Sequence, residues 1–354
     1  MIRFALIGAG RIAKKYVDIF NRDDFVKGEM VCICDISVGK AQRLASLIKI
    51  PYYDDMHTML TAHKSDIDVI IILTESGNHA QHVLDVSRYG KHIIVEKPMA
   101  LTIDDAQKMI IECDNNNIKL FVVKQNRFNL PVQKLRNVFE KNAFGKINLG
   151  TVRVRWCRDQ NYYDQDPWRG TWALDGGVFS NQASHHIDLL CWFLGEPISV
   201  FAKAKTELVD IEAEDTGVAV ITFKNGAIGI IEATTATRPS DLEGSLSLLG
   251  EKGTVEISGF AVNKLKHWNF IDKEFMELDL ESFSENPPDV YGFGHMRYLD
   301  HIIDAIEKSK PALVDGLEAI KSLEIINAIY ESIETKREVS LRFQPKKTKI
   351  GFSE

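Results

Sequence analysis

The 354-residue sequence lacks any apolar run near the ~18 residues that a transmembrane helix requires. Its first residues, Met1-Ile2-Arg3, lead directly into a strand pattern, without the charged leader, apolar core and cleavage site of a secretory signal peptide. We therefore expect a cytoplasmic protein with no membrane partner.

Cysteine is scarce, with five residues, an odd number at irregular spacing. Cys32 and Cys34 are separated by one residue within an apolar strand pattern, and a metal site would need more ligands than this pair supplies. We expect buried free thiols and no bound metal. Unpaired cysteines of this kind indicate a reducing compartment.

Positive charge is also in deficit, because 43 Lys and Arg stand against 50 Asp and Glu and leave a net charge of -7. Nucleic-acid binding depends on neutralising phosphates, and the one basic block is Lys346-Lys347 near the end of the chain. We therefore expect no nucleic-acid partner. Hydrophobic residues make up 45% and charged residues 26%, which is typical of a well-cored globular protein, and the length allows about two domains.

A glycine-rich turn joins a predicted buried strand over residues 3–8 to a predicted helix over residues 11–20. Gly8 permits a tight turn, Gly10 lets the backbone approach a pyrophosphate, and Ala13 lets the helix pack close to the strand. The helix N-terminus offers its N–H groups to phosphates. The pattern predicts a dinucleotide site. The residues expected at the cofactor are Gly8, Gly10, Arg11 and Ile12.

Asp35 ends the next predicted strand and lies 25 positions after Gly10. An acidic residue about 20 positions beyond such a turn binds the ribose hydroxyls of NAD and would repel a 2′-phosphate. No arginine occupies either of the next two positions, so we expect NAD rather than NADP. Lys40 and Arg43 on the following helix leave the alternative open. Capping of that helix is a further role for Asp35 and is compatible with the first.

Three further strands, predicted over residues 66–74, 92–95 and 119–123, end in polar residues. In open α/β sheets ligands bind outside the carboxyl ends of the strands, so these residues are candidates for the cofactor site. His79 has the alternative role of beginning its helix. The candidates are Thr74, Asn78, His79, Glu96, Lys97, Gln125 and Asn126.

Glu96-Lys97-Pro98 is the most distinctive of these strand ends. Proline restricts Lys97 to an extended conformation, and the bond between them has both the cis and the trans form available. Placed at a strand's carboxyl end, Lys97 would face the ligand crevice; the alternative is a strand-ending turn with a solvated lysine. Glu96 is better suited to positioning than to catalysis.

Strands that alternate with helices through residue 123 predict a doubly wound parallel sheet, the Rossmann fold. Short strands follow, with turn residues such as Lys224-Asn225-Gly226 between them and little room for crossover helices. We therefore expect a C-terminal α+β domain with a large, mostly antiparallel open sheet. The predicted domains are 1–123 for NAD binding and 124–340 for substrate binding and oligomerisation, with a polar tail over 341–354.

A second chemical stretch lies in a predicted helix over residues 178–194. On that helix Asn181, His185 and Asp188 would share one face, so Asn181 could orient the His185 ring. His186 would point about 100° away, and adjacent histidines on a helix cannot converge on one metal ion. The stretch is either one half of a proton-transfer site or a capped core helix with satisfied polar residues.

The order of the Gly-x-Gly-x-x-Ala turn, Glu96-Lys97-Pro98 and His185-His186-Ile187-Asp188 resembles the Gfo/Idh/MocA family of NAD(P)-dependent oxidoreductases, over nearly the whole chain. The resemblance implies catalytic roles for Lys97 and His185. Many members have Asp four residues before the helix histidine, where this chain has Asn181. An amide cannot act as a base, but it can bind a substrate hydroxyl or orient the imidazole ring.

Within the family, the chain resembles most the bacterial UDP-N-acetyl-2-amino-2-deoxyglucuronate 3-dehydrogenases. This finer resemblance rests on Lys124-Gln125-Asn126-Arg127, Arg155-Trp156 to Tyr162-Tyr163, Trp168-Arg169-Gly170-Thr171-Trp172 and Asn181-Gln182. It implies oxidation of a sugar 3-hydroxyl in surface-polysaccharide biosynthesis. Arginine guanidinium groups match the geometry of carboxylates and phosphates, so the arginines are candidates for binding the substrate. The alternative is that they are ordinary surface charges. The substrate-binding candidates are Arg158, Tyr163, Trp168 and Arg169, with Lys97, Asn181 and His185.

In the implied reaction His185 takes the hydroxyl proton and Lys97 stabilises the developing alkoxide. Lys97 is itself the alternative base if desolvation favours its neutral form.

The other functions kept open are a myo-inositol- or glucose-type dehydrogenase and a non-catalytic NAD-binding sensor. The resemblance also implies a homo-oligomer, a dimer or a tetramer, and an exposed sheet face would suit it. Regeneration of bound NAD by 2-oxoglutarate stays open.

Overall fold

The structure is a computed structural model that describes residues 1–287, 291–341 and 349–351. The chain divides into two compact units. Unit 1 comprises residues 1–123 and 295–320, and unit 2 comprises residues 124–294 and the described residues from 321 onward. Each unit is therefore built from two separate segments of the chain.

Unit 1 begins with strands and helices in alternation. The strands are β1 (Ile2–Ile7), β2 (Gly28–Cys34), β3 (Tyr52–Tyr53), β4 (Val69–Ile72), β5 (His92–Val95) and β6 (Leu120–Val122). The helices are α1 (Arg11–Phe20), α2 (Val38–Ile48), α3 (Met56–Ala62), α4 (His79–Ser87) and α5 (Ile103–Asn115). The strands pair in parallel in the order β3-β2-β1-β4-β5-β6, which confirms the doubly wound parallel sheet.

The central strands of this sheet are apolar without alternation because helices cover both faces of a parallel sheet. All four residues of β4 are buried. Local signals set the helix ends: Thr102 accepts a hydrogen bond from the Asp105 N–H (3.1 Å) at the start of α5, and two aspartates lie in that helix's first turn. The carboxyl ends of the parallel strands are therefore held on an apolar core.

Unit 2 continues with a large sheet and its helices. The helices are α6 (Leu130–Glu140), α7 (Gln160–Asp164), α8 (Ser184–Leu194) and α9 (Lys273–Met276). The strands are β7 (Ile147–Arg155), β8 (Pro197–Lys205), β9 (Thr216–Phe223), β10 (Ile228–Thr234), β11 (Glu243–Gly250), β12 (Gly253–Ser258) and β13 (Lys264–Phe270). The last described elements of the chain are α10 (Gly294–Glu307), α11 (Gly316–Thr335) and β14 (Val339–Ser340).

Eight strands form the sheet of unit 2, in the order β13-β12-β11-β7-β10-β9-β8-β14. Every neighbouring pair is antiparallel except β7 and β10, which are parallel. The predicted hairpin turn joins β9 to β10, and its Gly226 has a φ of 87°. The mostly antiparallel sheet is confirmed.

Helix α8 packs on one face of this sheet, against β7, β10 and β11. Gly150 in β7 permits the close approach: a Cβ there would lie 2.8 Å from Leu194 Cδ1 and 3.0 Å from Leu190 Cδ1. The helix is almost wholly buried. Its position is therefore set by sheet packing along its length.

The predicted helix over residues 178–194 begins only at Ser184, so that prediction is wrong for its first two turns. Asn181 lies in the preceding turns and does not share a helical face with the helix histidine. The helical ladder is interrupted at Ala183, whose N–H bonds to the Val178 carbonyl (2.8 Å), five residues back, in place of the i−4 carbonyl that a continuous helix would use. The Phe179 N–H, which would have no intrahelical partner in a helix starting at residue 178, donates to Glu214 Oε1 (2.9 Å).

Helix α10 contributes to the core of unit 1, although the sequence places its residues with the second domain. Four of its side chains are fully buried, those of Tyr298, Leu299, Ile302 and Ile303. At β2, a Cβ on Gly28 would lie 3.2 Å from Ile303 Cδ1. The helix thus packs against the sheet of unit 1.

Among the helices of the described ranges, none is both long enough and apolar enough to span a membrane. Most of the predicted polar tail over 341–354 lies outside the described residues. Within it, residues 349–351 contact unit 2: the Lys349 N–H donates to Glu334 Oε1 (2.6 Å), and Ile350 is buried.

One face of the large sheet carries four exposed apolar side chains, those of Phe201, Val218, Val220 and Ile228, with Lys203 and Glu232 opposite Val218. These side chains are 39%, 50%, 48% and 46% exposed, and they lie on adjacent strands in register, with Val220 opposite Phe201 and Ile230. Contiguous apolar patches of this kind mark association surfaces. The face is the candidate surface for the predicted homo-oligomer.

We expect Val220→Asp to lower the oligomeric state, because it places a charge in the middle of this apolar face. Size-exclusion chromatography with light scattering should give a dimer or tetramer for the wild type and a smaller species for the variant. Val26→Asp, the same change at a valine that is 72% exposed in unit 1, is the matched control. A wild-type monomer would contradict the prediction.

Candidate active site

The glycine turn between β1 and α1 has the geometry of a phosphate cradle. Gly8 has a φ of +98°, and a Cβ there would lie 2.8 Å from the backbone of Leu73 and Thr74, so only glycine fits. Around Gly10 no atom lies within 4 Å of a Cβ position. Gly10 is the N-cap residue of α1 and supplies no side-chain hydrogen bond to the first N–H groups of that helix. The turn can therefore receive a pyrophosphate at the helix N-terminus, beside Arg11.

Asp35 lies at the end of β2 and links that strand to the turn. Its Oδ2 accepts a hydrogen bond from the Ala9 N–H (2.7 Å), and its Oδ1 accepts one from the Ser37 N–H (2.8 Å). The predicted ribose-binding carboxylate thus lies against the cradle itself. The glycine cradle, the open space around Gly10 and the carboxylate at the end of β2 together fit NAD. When bound, NAD supplies a hydride acceptor.

His79 lies at the start of α4, with both ring nitrogens beside backbone carbonyls. Nδ1 is 2.7 Å from the Pro98 O, and Nε2 is 3.0 Å from the Thr74 O. Burial lowers the pKa of His79, and the two carbonyl contacts oppose that shift. The imidazole therefore connects the end of β4 to the turn after β5. Its neighbours Thr74 and Asn78 bond to His82 and Glu75.

Glu96 and Lys97 follow β5, and the Lys97-Pro98 bond is cis. Both oxygens of the buried Glu96 carboxylate are used: Oε1 accepts from the Tyr16 hydroxyl (3.0 Å) and Oε2 from the Lys97 N–H (3.0 Å). His295 Nε2 lies 3.5 Å from Oε1. The backbone that carries the half-buried Lys97 side chain is therefore held in place by Glu96.

The charge state of Glu96 follows from these contacts. Burial raises the pKa of this carboxyl, but the His295 contact and the Lys97 N–H outweigh burial and leave the pKa below its ordinary value. Burial and the neighbouring Glu96 charge raise the pKa of Tyr16 well above the usual range. An ionised Glu96 thus accepts from a neutral Tyr16 phenol.

In unit 2, the segment after β6 forms a short 3-10 helix (Gln125–Phe128) whose residues are buried. The guanidinium of Arg127 binds Asp188 in α8 bidentately, with Nε–Oδ2 2.7 Å and Nη2–Oδ1 2.9 Å. Lys124 Nζ donates to Ser322 Oγ (2.9 Å) and lies 3.8 Å from Asp188. Burial raises the pKa of Asp188, but the two cations outweigh it and leave that pKa below its usual value.

His185 and His186 lie in the first turn of α8, and Asp188 anchors that helix three residues beyond His185. His186 is fully buried against the Trp156 ring, 5.9 Å between centroids. Burial lowers the pKa of His186 to about 3, so it is neutral at physiological pH. Asp188 was predicted to share a face with His185; in the structure it anchors the helix through its ion pair with Arg127.

Asp175 and Asn181 are joined in the turns before α8. The Asn181 Nδ2 donates to Asp175 Oδ1 (2.6 Å), and the Gly170 N–H donates to Asp175 Oδ2 (2.9 Å). The Ser180 hydroxyl donates to the Asp175 backbone carbonyl (2.8 Å). The turn is therefore tied together around one buried carboxylate.

Glu214 and Tyr330 hold the same turn from the other side. The Tyr330 hydroxyl donates to Glu214 Oε1 (3.0 Å) and accepts from the N–H groups of Gly177 (3.1 Å) and Ser180 (3.3 Å). Burial raises the pKa of Glu214 to about 7; the Phe179 N–H and the Tyr330 hydroxyl oppose that rise. The segment that leads to Asn181 thus depends on a carboxyl that titrates near neutrality.

Tyr163 and Arg169, two of the candidate substrate residues, line one open cleft of about 610 Å³ in unit 2. Arg169 bonds to Asp166 (2.9 Å) and to the Tyr162 hydroxyl (2.7 Å) and stacks on Trp168 (4.6 Å). The Tyr163 hydroxyl is buried 3.2 Å from Thr235 Oγ1. The cleft therefore brings these two candidates together.

Arg158, another candidate, bonds to Asp241 Oδ1 (2.9 Å) and to the Cys157 carbonyl (2.6 Å). Its guanidinium lies over the rings of Trp156 and Tyr162, 5.3 Å from each centroid. The position of the Arg158 side chain is thus set by its contacts within the protein.

Sequence reasoning missed the residues that hold the site in place. Tyr16 and His295 support Glu96, and Asp175, Glu214 and Tyr330 support the turn at Asn181. Their signal in the sequence is weak, since each acts on a partner far along the chain or through the backbone. Asp175 alone lies close to a motif already singled out, between Trp168-Arg169-Gly170-Thr171-Trp172 and the predicted helix over residues 178–194.

Family comparison covers almost the whole chain. Residues 2–124 match the Gfo/Idh/MocA description "Oxidoreductase family, NAD-binding Rossmann fold", and residues 136–341 match "Oxidoreductase family, C-terminal alpha/beta domain". The chain is an oxidoreductase and belongs to the Gfo/Idh/MocA family.

Two solved structures are similar over nearly their full length. The WlbA dehydrogenase from Bordetella pertussis, in complex with NADH and UDP-GlcNAcA, is 38% identical, with a TM-score of 0.89 and coverage of 96% of this chain and 97% of that one. The WlbA dehydrogenase from Chromobacterium violaceum, also in complex with NADH and UDP-GlcNAcA, is 38% identical, with a TM-score of 0.89 and coverage of 96% of this chain and 95% of that one. Myo-inositol 2-dehydrogenase from Thermotoga maritima is 25% identical over 351 residues, which is 96% of this chain and 98% of that protein. The chain is an NAD-dependent sugar dehydrogenase.

We expect the contribution of Glu214 to the free energy of unfolding to fall as pH rises from 4.5 to 7, because the pKa of Glu214 is raised from 4.5 to about 7 on folding. A raised pKa stabilises the fold fully below the unfolded value, and that contribution, up to about 3 kcal/mol, is lost as pH passes the folded value. Glu214→Gln should remove it. Urea unfolding at pH 5 and pH 8 measures the difference.

The matched control for this experiment is Glu212→Gln, which changes an exposed glutamate two residues away. The control should keep the wild-type dependence of the free energy of unfolding on pH. An identical pH dependence in Glu214→Gln and the wild type would contradict the assignment.

Proposed function

We propose that this dehydrogenase oxidises the 3-hydroxyl of UDP-N-acetyl-glucosaminuronate with NAD, in surface-polysaccharide biosynthesis. The observation that carries the proposal is the 38% identity, across 96% of the chain, to two dehydrogenases whose structures contain NADH and UDP-GlcNAcA. Myo-inositol 2-dehydrogenase and D-glucoside 3-dehydrogenase match over the same share of the chain at 25%.

Asn181 also supports a substrate different from the inositols. The side chain at this position is an amide, which bonds to Asp175, and it therefore offers no carboxylate of its own to a substrate. The proposed role of Asn181 is to bind a sugar hydroxyl rather than to accept a proton. Arg158, Tyr163, Trp168 and Arg169 stay proposed contacts of the nucleotide sugar.

The proposed chemistry assigns the proton to His185 and the developing negative charge to Lys97. An imidazole titrates near neutral pH and suits a general base. The Lys97 ammonium would donate a hydrogen bond to the reacting oxygen, which is most effective where water is excluded. Glu96 would hold the Lys97 backbone, and Arg127 would hold α8 through Asp188. Bound NAD would take the hydride.

A substrate panel tests the proposal. With NAD present, we expect NADH absorbance to rise with UDP-N-acetyl-glucosaminuronate and to stay near the blank with UDP-GlcNAc, myo-inositol, glucose and methyl glucoside. The substrate carboxylate separates the first two compounds. Faster oxidation of an inositol or a simple glucoside would overturn the proposed substrate and favour a polyol or glucoside dehydrogenase. Tight NAD binding without oxidation of any alcohol would favour the sensor.

Paired variants test the residue roles. Lys97→Ala should lower kcat by about 10²- to 10³-fold, the scale of losing one preorganised charge-stabilising donor, with little change in the Kd for NADH. Asp35→Ala should weaken NADH binding by about tenfold or more, since it removes a carboxylate from both the cradle and the ribose. Stopped-flow turnover and NADH fluorescence titration measure the two effects. Full turnover in Lys97→Ala would refute the mechanism.

A further inference from the structure

A buried carboxylate joins three separate segments of unit 1. Glu96 follows β5, Tyr16 lies in α1, and His295 lies at the start of α10. Glu96 Oε1 accepts from the Tyr16 hydroxyl (3.0 Å) and lies 3.5 Å from His295 Nε2. The Tyr16 and His295 rings meet edge to face, with 5.7 Å between their centroids. Glu96, Tyr16 and His295 are 7%, 0% and 1% exposed, so water does not compete for these contacts.

The contacts fix the direction in which the Glu96 carboxylate points. An ionised carboxylate only accepts hydrogen bonds, so the Tyr16 hydroxyl donates and the ring nitrogen of His295 that faces Oε1 carries the proton. With Oε1 between these two donors, Oε2 is turned toward the Lys97 N–H and accepts from it at 3.0 Å. The backbone of Lys97 is therefore held by a chain of contacts that begins at Tyr16 and His295.

We propose that Tyr16 and His295 are positioning residues for Lys97 and act on it through Glu96. This inference rests on the proposed function, in which the Lys97 ammonium stabilises the developing alkoxide, and it extends that function to two residues outside the motif. Stabilisation of this kind requires a donor that is already in place when the charge develops. A displacement of about 1 Å can cost on the order of 10²-fold in rate, so the hold on this turn matters for turnover.

The place of Tyr16 in the chain relates this hold to the cofactor turn. Tyr16 lies on α1, the helix whose N-cap is Gly10 and whose N-terminus forms the proposed pyrophosphate site. Glu96 therefore links the helix that would bind NAD to the turn that carries Lys97. His295 adds a contact from the segment of the chain that returns to unit 1 after residue 294. The Lys97 backbone is thus fixed relative to the cofactor cradle within one unit.

The charge of Glu96 strengthens these contacts. Burial raises the pKa of this carboxyl, but the His295 contact and the N–H and charge of Lys97 outweigh burial and leave the pKa below its usual value. Hydrogen bonds to an ionised group are roughly twice as strong as those between neutral groups. Removal of either donor leaves a buried charge with fewer hydrogen bonds, which lets the carboxylate turn away from Lys97.

Amide hydrogen exchange at Lys97 tests the hold without any substrate. Tyr16→Phe removes only the hydroxyl, and His295→Leu removes the ring donor. Each should speed exchange of the Lys97 N–H by about tenfold, because its acceptor is less well held. His295→Gln keeps an N–H donor close to the place of Nε2 and should restore protection to within about threefold of the wild type.

Tyr89→Phe is the matched control for the loss of a phenol. The Tyr89 hydroxyl also contacts a histidine in unit 1, since it lies 3.0 Å from His57 Nδ1 and the two rings stack. The control should leave exchange at Lys97 and turnover near the wild-type values. Equal acceleration of Lys97 exchange in Tyr89→Phe would indicate a general loosening of unit 1 and would overturn the specific role of Tyr16.

Kinetics supply the readout that a purely structural contact would not change. With the alcohol that the substrate panel shows to be oxidised, Tyr16→Phe and His295→Leu should lower kcat by about tenfold, while the KM for NAD stays within about twofold. His295→Gln should keep kcat within about threefold of the wild type. In the background of Glu96→Met, which removes the carboxylate, Tyr16→Phe should change kcat by less than about twofold, because effects that pass through one group are not additive.

The outcomes separate this inference from the proposed function. A wild type that oxidises another alcohol but not the UDP-sugar refutes the proposed substrate, and kcat is then compared with that alcohol. If no alcohol is oxidised, the proposed function fails, and exchange at Lys97 still decides whether Tyr16 and His295 hold the turn. Unchanged exchange in both Tyr16→Phe and His295→Leu overturns the hold. Faster exchange with an unchanged kcat, or a full effect of Tyr16→Phe in Glu96→Met, overturns the positioning role in catalysis.

Discussion

Capture of backbone N–H groups by carboxylates is the interaction on which the candidate site residues of each unit depend. Asp35 holds the Ala9 N–H of the glycine turn, and Glu96 holds the N–H of Lys97. In unit 2, Asp175 holds the Gly170 N–H and Glu214 that of Phe179. In each case an acidic side chain stabilises an irregular segment, which has no helix or strand partner for its N–H groups.

Glu96 and Glu214 differ in pKa because their surroundings differ. His295 and the Lys97 N–H hold the pKa of Glu96 below its usual value in spite of burial. Glu214 has no cation to offset burial among the causes that set its pKa, which is about 7. Support of the lysine turn is therefore insensitive to pH near neutrality, whereas support of the turn before α8 is not.

The sequence predicted best what is encoded locally. The turn from Gly8 to Ala13, the strand before Lys97 and the bounds of α5 each follow from neighbouring residues. The start of α8 does not. Its apolar and polar spacing would also suit a longer helix, and the residues before Ser184 bond instead to Glu214 and Tyr330, which are distant in sequence. The supporting residues of the site were missed for the same reason.

The assignment of α10 to unit 1 has a consequence for how the protein is made and cut. The chain passes between the units after residues 123, 294 and 320, so no single cleavage releases either unit whole. A fragment that ends at residue 123 lacks α10, whose buried side chains, including Tyr298, Leu299 and Ile302, complete that core. During synthesis unit 1 can be finished only after most of unit 2 has left the ribosome. The two units therefore mature together, and neither can be exchanged as a simple cassette.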